Sequence, residues 1–309
     1  MEHNIRMYTA YGLRLASEIE LPELLAGAHD GSEPDAWIAY ADLSEYVANW
    51  EPDRRNWADG EQVLIYVPGV AYYRVLDNLI QVMPLQDADP RQFRLYIVGA
   101  CCSVLLVRRG IVPMHAGGVV IDGKAYAILG DCGAGKSTLG AAFMEAGYKL
   151  LSDDIVAIAM NGKTNELTAY PGYPQQKLWR QSLEYFRRDA SDYRSILQDY
   201  DKFAVPVTDL FHKEPVPLAG IFELEKADVP QVRIQPLTPL QRVQLFRYHS
   251  FLDRVLKEMK LEQWLFTFGT KVALAIPFYQ LKRPSAGYTA PELVNQILHT
   301  VREREMISL

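Results

Sequence analysis

The sequence has few cysteines, and their spacing excludes two common uses of this residue. There are three cysteines among 309 residues, and two of them, Cys101 and Cys102, are adjacent. Neighbouring cysteines are poor disulfide partners because their side chains do not reach the geometry that the bond requires. No C-x-x-C pair is present, so nothing predicts a cysteine-ligated zinc site.

Long apolar runs and clusters of basic residues are also absent. The most apolar stretch, residues 95–107, is shorter than the roughly 20 residues that span a bilayer. The N-terminus shows no apolar signal region. The net charge is −6 and no Lys/Arg run stands out, so neither nucleic acid nor an anionic membrane is predicted as a partner. Together with the cysteine usage, these absences predict a cytoplasmic protein.

The composition, 49% hydrophobic and 23% charged, is that of an ordinary globular protein, and the segment patterns predict an α/β fold. Strand-like runs make residues 1–88 a β-rich N-terminal region, which opens with a strand at 6–13. A second domain is predicted over residues 89–309. It starts with a helix at 90–109, because Asp89 and Pro90 supply an N-cap and a first-turn proline.

Three segments of the second domain are predicted from weaker patterns. A strand is expected at 114–121 and a helix at about 252–268. Residues 182–205 are polar, aromatic and charged, which predicts a helix or a mobile loop.

Residues 130–138 read GDCGAGKST and complete the phosphate-loop pattern G-x-x-x-x-G-K-S. Glycines let successive backbone N–H groups point at phosphate oxygens. Lys136 adds a positive charge for the outer phosphates, and the Ser137 hydroxyl can enter the coordination shell of Mg²⁺. The candidate nucleotide-binding residues are Gly130, Asp131, Cys132, Gly133, Ala134, Gly135, Lys136, Ser137 and Thr138.

The segments around this loop have the expected types. Residues 125–129 form an apolar run suited to a buried strand, and residues 136–146 favour a helix that Gly147 would end. The alternative is a glycine-rich turn that matches the pattern by chance. The two correct flanks favour a nucleotide-binding loop.

Two adjacent carboxylates, Asp153 and Asp154, follow the next predicted strand. Ligands gather at the carboxyl ends of strands in α/β sheets. One carboxylate there can hold Mg²⁺ and the other can accept a proton from an attacking hydroxyl. The alternative, a solvated turn, is favoured for an isolated Asp-Asp pair but not for one beside a phosphate loop.

His115 lies at the start of the strand that should pair next to the phosphate-loop strand. A histidine in that place can orient a carboxylate or share its proton. The alternative is a structural histidine whose nitrogens are satisfied within the fold.

The run from residue 114 to residue 158, MHAGGVVIDGKAYAILGDCGAGKSTLGAAFMEAGYKLLSDDIVAI, resembles the catalytic core of the HPr kinase/phosphorylase family. The resemblance implies a P-loop core like that of phosphoenolpyruvate carboxykinase, with ATP and Mg²⁺ as cofactors. It implies that Lys136 holds the β- and γ-phosphates and that Ser137 and Asp154 face Mg²⁺. Asp153 would be the catalytic base, supported by His115. The family also suggests a homo-oligomer.

A divergent branch of that family is more similar over most of the chain. The opening YTAYGLRLASEIELP and the segment PGYPQQKLW resemble kinases of peptide biosynthesis clusters that phosphorylate the C-terminal serine of lasso-peptide precursors. The partner implied is a precursor peptide. Lys177 and Arg180 in this segment are candidate substrate-site cations, because phosphoryl transfer needs positive charge beyond the loop lysine. Ordinary loop charge is the alternative.

The leading hypothesis is therefore an ATP-dependent peptide serine kinase. Two others stay open. The chain could be a kinase or phosphorylase that acts on HPr, on another protein or on a small metabolite. It could also be a nucleotide-binding regulator without transfer chemistry, although a regulator does not need the Asp153-Asp154 pair.

Replacement of the loop lysine tests the phosphate-loop hypothesis. We expect Lys136→Ala to weaken ATP binding, catalysis or both, because the β- and γ-phosphates lose their cation. Isothermal titration with ATP and a phosphoryl-transfer assay measure the two effects. A folded variant with unchanged affinity and rate would contradict the hypothesis.

Overall fold

The computed structural model describes residues 5–48, 50–51, 54–196, 201–251 and 253–307. Within these ranges the chain is a mixed α/β protein with three sheets. The α/β class predicted from the sequence is confirmed. No helix in the described ranges combines the length and apolarity needed to cross a membrane. All three cysteines are free.

The first sheet has eight strands and lies in the N-terminal part of the chain. Its strands are β1 (Arg6–Ala10), β2 (Leu13–Ser17), β3 (Leu25–Ala26), β4 (Ala36–Tyr40), β5 (Asn56–Ala58), β6 (Val63–Val67), β7 (Ala71–Val75) and β8 (Leu79–Pro84). A short helix, α1 (Ser44–Val47), follows β4. The spatial order is β3-β1-β2-β4-β8-β7-β6-β5. Strands β2, β4 and β8 run parallel, and the other pairs are antiparallel.

The predicted strand at 6–13 is wrong in its extent, because it is a hairpin. Tyr11 and Gly12 adopt positive φ angles of 57° and 77°, and the chain reverses there between β1 and β2. A residue distant in sequence holds this turn, since Tyr11 N–H donates to Pro171 O at 2.8 Å. An apolar run has no local marker for such a reversal other than its glycine.

A long helix covers the first sheet. It consists of α2 (Pro90–Tyr96), a π-helical turn (Ile97–Cys101) and α3 (Cys102–Arg108). The Asp89 side chain accepts from Arg91 N–H at 2.8 Å, so the predicted N-cap is present. Phe93 and Leu105 join Leu15 in the core of the first sheet. The predicted division at residues 88 and 89 stays a prediction, and the helix that follows it packs on the N-terminal sheet.

The second sheet has nine strands and carries the phosphate loop. They are β9 (Val112–His115), β10 (Gly117–Ile121), β11 (Lys124–Leu129), β12 (Lys149–Ser152), β13 (Ile155–Met160), β14 (Leu167–Tyr170), β18 (Val216–Ala227), β19 (Arg233–Pro236) and β20 (Phe278–Pro284). The order is β12-β10-β11-β18-β14-β13-β9, with β20 on β18 and β19 on β20. Strand β18 runs parallel to both β11 and β20.

Helices cover both faces of this sheet. They are α4 (Lys136–Glu145), α6 (Pro239–Tyr248), α7 (Asp253–Glu258), α8 (Glu262–Ala275) and α9 (Ala290–Ile307). Ile128 packs with Phe143 and Ile297 on one face, whereas Ala127 packs with Phe246 on the other. This alternation along β11 is the period of two that a strand imposes on its side chains. It explains why a strand buried on both faces reads as a continuous apolar run.

The third sheet has the order β15 (Gln175–Trp179), β17 (Lys202–Pro206) and β16 (Arg194–Ser195). Helix α5 (Arg180–Tyr185) follows β15, and a 3₁₀ turn covers Ala190–Asp192. The prediction of a helix or mobile loop over 182–205 is therefore wrong for the parts of this segment that form β16 and β17. Residues 197–200 of that prediction lie outside the described ranges.

Two further segments divide where the sequence predicted one element. The strand expected at 114–121 is split at Ala116, since β9 pairs with β13 whereas β10 pairs with β11 and β12. The helix expected at 252–268 is instead α7 and α8, separated at Lys260, which has a φ of 58°. Residue 252 lies outside the described ranges. Strand partners are chosen in space, so an unbroken run of strand-forming residues does not reveal such a split.

Two glycine variants test the packing of the first hairpin turn. Gly12 and Gly69 both have positive φ, so alanine costs each about 1–2 kcal/mol in backbone strain. A Cβ on Gly12 would lie 2.3 Å from the Tyr170 ring, whereas one on Gly69 meets nothing within 4 Å. We expect Gly12→Ala to lose about 1–3 kcal/mol more in the free energy of unfolding than Gly69→Ala, measured by urea denaturation. Equal losses would show that the turn does not depend on this contact.

Candidate active site

The phosphate loop occupies the predicted strand–loop–helix context. Strand β11 ends at Leu129 and α4 begins at Lys136. Gly130 has a φ of 148°, and a Cβ there would lie 2.4 Å from Leu224 O of the neighbouring strand. Gly133 has a φ of 78° and open space where its Cβ would stand. The loop therefore needs glycine at both positions, and at Gly133 it leaves a face clear for an anion.

The Lys136 ammonium lies within this loop. Its Nζ donates to Gly130 O at 2.6 Å and to Asp131 O at 3.3 Å. Burial lowers the pKa of Lys136, and the charges of Asp154 and Asp153 act against that effect. Two loop carbonyls thus hold the ammonium, and Lys136 lines the cleft over the loop.

Asp153 is buried against the start of α4, with a relative exposure of 6%. Its Oδ2 accepts from Ser137 Oγ at 3.2 Å and from Lys177 N–H at 2.9 Å, and its Oδ1 accepts from Gln176 Nε2 at 3.3 Å. Burial raises the pKa of Asp153 above its usual value, and the charge of Asp154 adds to the increase. The carboxylate is therefore a better proton acceptor than an ordinary aspartate.

Asp154 is held by a cation and is more open than its neighbour. Its Oδ2 accepts from Lys177 Nζ at 2.6 Å, and 29% of its side chain is exposed. Burial by itself would raise the pKa of Asp154, but Lys177 and His115 outweigh it and lower the pKa to about 2. Asp154 is consequently an anion across the physiological range, as a cation ligand must be.

His115 stands beside Asp154, whereas the family resemblance implied that it supports Asp153. The end of β9 pairs with the start of β13, which brings His115 Nδ1 to 3.4 Å from Asp154 Oδ1. This contact lacks hydrogen-bond geometry. Burial, followed by the charge of Lys136, lowers the pKa of His115, so the ring is mainly neutral at pH 7.

The two predicted substrate-site cations have different places. Lys177 is bound to Asp154, and although burial alone would lower its pKa, Tyr173 and Asp154 raise it well above the ordinary value. Arg180 instead forms an exposed ion pair with Asp201, 2.8 Å from Nη2 to Oδ1, and lies over the Phe203 ring. The structure therefore brings Lys177 into the carboxylate network and places Arg180 away from it.

A cleft of about 570 Å³ runs over the loop and the carboxylates. The phosphate loop and Asp153 line it, together with α5 and the segment that leads into α9. Lys202, Lys226 and Arg283 add positive charge to its walls. A polar cleft of this size and charge suits an anionic ligand.

Several of these residues were not predicted from the sequence. Arg283 of β20 donates from Nε to Ala134 O in the loop at 3.0 Å, and Tyr248 donates to Asp131 Oδ1 at 3.1 Å. Arg283 and Tyr248 belong to no sequence motif. The packing of β20 and α6 in the fold brings them to the loop. Gln176 had a signal, because it precedes Lys177 in the segment PGYPQQKLW.

Within the described ranges, no group of three or more His, Cys, Asp or Glu side chains is arranged to hold a metal ion by itself. Nucleotide-bound Mg²⁺ usually takes one or two protein oxygens, with phosphates and waters as its other ligands. The Ser137 hydroxyl beside Asp153, with Asp154 adjacent, offers oxygen donors of that kind.

Comparison with known proteins identifies no family for this chain. No family model matches the sequence, and no curated protein matches it. Among solved structures, the chain is similar to the Hpr(Ser) kinase/phosphatase from Coxiella burnetii, with 16% sequence identity and a TM-score of 0.32. The match covers 63% of this chain and 98% of that chain. A TM-score of this size establishes neither a common fold nor a common function.

The buried ion pair of Lys177 gives a stability prediction. We expect Lys177→Met to lower the free energy of unfolding by about 3–5 kcal/mol, because Asp154 then stays beside Asp153 without its counter-ion. The double variant Lys177→Met/Asp154→Asn should recover much of this loss. Urea denaturation at pH 7 measures both.

Arg180→Met is the matched control, because it breaks the exposed pair with Asp201 and should lower the free energy of unfolding far less than Lys177→Met does. Equal losses for Lys177→Met and Arg180→Met would mean that burial adds nothing to the strength of the first pair.

Proposed function

We propose that this protein is an ATP-dependent serine kinase that transfers the γ-phosphoryl group to a peptide serine hydroxyl. One observation carries the proposal: the phosphate loop and the carboxylate pair share one cleft, with Ser137 Oγ 3.2 Å from Asp153 Oδ2. A loop alone would support nucleotide binding only. A buried carboxylate beside it supplies a group that can accept a proton from a hydroxyl.

The residues present fit a magnesium-bound triphosphate. The backbone of 130–138 would hold the phosphates, with Lys136 at the outer ones and Ser137 and Asp154 toward Mg²⁺. The metal, when bound, would neutralise charge on the phosphate oxygens. Arg283 already contacts the loop at Ala134 O, and Lys202 and Lys226 extend the positive wall. These cations would stabilise the negative charge that transfer develops.

Asp153 has the properties of the base in this reaction. Its raised pKa favours proton acceptance, whereas the lowered pKa of Asp154 suits a group that stays charged. Lys177 N–H and Gln176 Nε2 hold the Asp153 carboxylate in a single orientation. His115, next to Asp154, would support the same cluster.

The acceptor that we propose is the C-terminal serine of a lasso-peptide precursor, on the basis of the sequence resemblance. The segment PGYPQQKLW, which carries much of this resemblance, ends in β15 and supplies both Gln176 and Lys177 to the cluster. The same resemblance leads us to expect a core related to phosphoenolpyruvate carboxykinase and a homo-oligomeric assembly in the cytoplasm.

The reaction is tested by mass spectrometry of peptides after incubation with Mg-ATP. We expect a precursor peptide that ends in serine to gain the mass of one phosphate. The matched peptide with C-terminal alanine should gain none, and HPr should gain none. Phosphate on HPr instead of the peptide would support the protein-kinase alternative. Tight ATP binding without transfer to any acceptor would support the regulator.

The base assignment is tested by Asp153→Asn. The amide keeps the shape of the side chain but cannot accept the proton, so we expect transfer to fall by about 10²–10⁴-fold while ATP binding persists. Single-turnover kinetics and calorimetric titration measure the two quantities. Full activity in this variant would show that Asp153 is not the base.

A further inference from the structure

Two stacked tyrosines form one wall of the cleft. The rings of Tyr185 and Tyr288 lie 4.3 Å apart between centroids, with 18° between their planes. Phe186 contacts Tyr288 edge-on at 6.0 Å and 84°. Tyr185 is 41% exposed, although it stands in a cleft with charged walls. The pair is a flat aromatic surface that Phe186 braces from the side.

A short chain of contacts connects this pair to the phosphate loop. Thr138 Oγ1 lies 2.8 Å from Ser182 Oγ at the start of α5. Ser182 and Tyr185 are three residues apart on that helix, so they share a face, and both line the cleft. Tyr288 comes from the segment that leads into α9 and lines the same cleft. The aromatic pair is therefore about one helical turn beyond Thr138.

The direction of a bound nucleotide follows from the loop. Lys136 marks the β- and γ-phosphates, and the acceptor hydroxyl must approach the γ-phosphate near Asp153 and Asp154. The ribose and the base must leave the loop on a different side from these carboxylates. Thr138 turns toward α5, where the cleft continues to Tyr185 and Tyr288.

We propose that the Tyr185–Tyr288 pair receives the nucleobase of ATP, an inference that rests on the function proposed above. A planar base can bury its face against an aromatic ring regardless of its hydrogen-bonding edge. The pair would thus bind purine bases by stacking. An apolar side chain of the acceptor peptide is the competing occupant.

The experiment compares ATP with inorganic tripolyphosphate, which occupies the loop but has no base. Calorimetric titration is carried out on the full-length protein in Mg²⁺. We expect Tyr185→Ala and Tyr288→Ala each to weaken ATP binding by about 10-fold. The affinity for tripolyphosphate should be unchanged in both variants. An unchanged value would show that the phosphate loop of each variant is folded.

Two controls accompany these variants. Tyr185→Phe and Tyr288→Phe keep the stacked rings and should keep the ATP affinity. Tyr40→Ala removes a tyrosine that is 49% exposed on the first sheet. This variant should change neither the ATP affinity nor the tripolyphosphate affinity.

The remaining outcomes contradict the inference in different ways. Equal weakening of both ligands would assign the pair a structural role. Unchanged ATP affinity with a raised KM for the acceptor peptide would place the peptide on the pair instead. If the wild-type protein binds tripolyphosphate and ATP with equal affinity, the phosphate-loop hypothesis stands but the proposed nucleobase site is contradicted. A wild-type protein that binds neither would overturn the proposed function as well.

Discussion

Burial of two adjacent carboxylates is the constraint on which the rest of the site depends. Asp153 and Asp154 are like charges in a low-dielectric setting, and such a pair is stable only if cations and N–H donors compensate it. Lys177 compensates both, since its backbone N–H binds Asp153 and its ammonium binds Asp154. One residue of β15 therefore joins the third sheet to the carboxyl end of β12, and Ser137 joins the same cluster to the phosphate loop.

The parallel strands of the second sheet give this cluster its surroundings. Because β11, β18 and β20 run side by side in one direction, their carboxyl ends open at the same edge of the sheet. The loop leaves β11 at that edge, and Arg283 and Lys226 reach it from β20 and β18, where they are register partners. Residues distant in the chain thus contribute positive charge to one cleft, next to two anions that would otherwise repel a phosphate.

The parts of the site that sequence predicted are those with a local cause. A glycine-rich turn between an apolar strand and a helix fixes its own backbone shape, so residues 130–138 could be placed without knowledge of the fold. The N-cap at Asp89 was predicted for a similar reason. The split at Ala116 and the strands in 182–205 were missed, because strand pairing depends on partners far along the chain. Lys177 was predicted only as a candidate substrate-site cation, and its pairing with Asp154 could not be foreseen because the two residues lie on different elements.

The sequence by itself determined the loop, the helix that follows it and the presence of two carboxylates and a histidine in order. These features need only φ/ψ preferences and hydrogen bonds between near neighbours. Tertiary structure decided the different pKa values of the two carboxylates and which cations surround them. It buried Asp153 so that its pKa rises, paired Asp154 with Lys177 so that its pKa falls, and brought Arg283 and the Tyr185–Tyr288 pair to the cleft. Desolvation and Coulomb interactions act through space, so only the folded chain sets them.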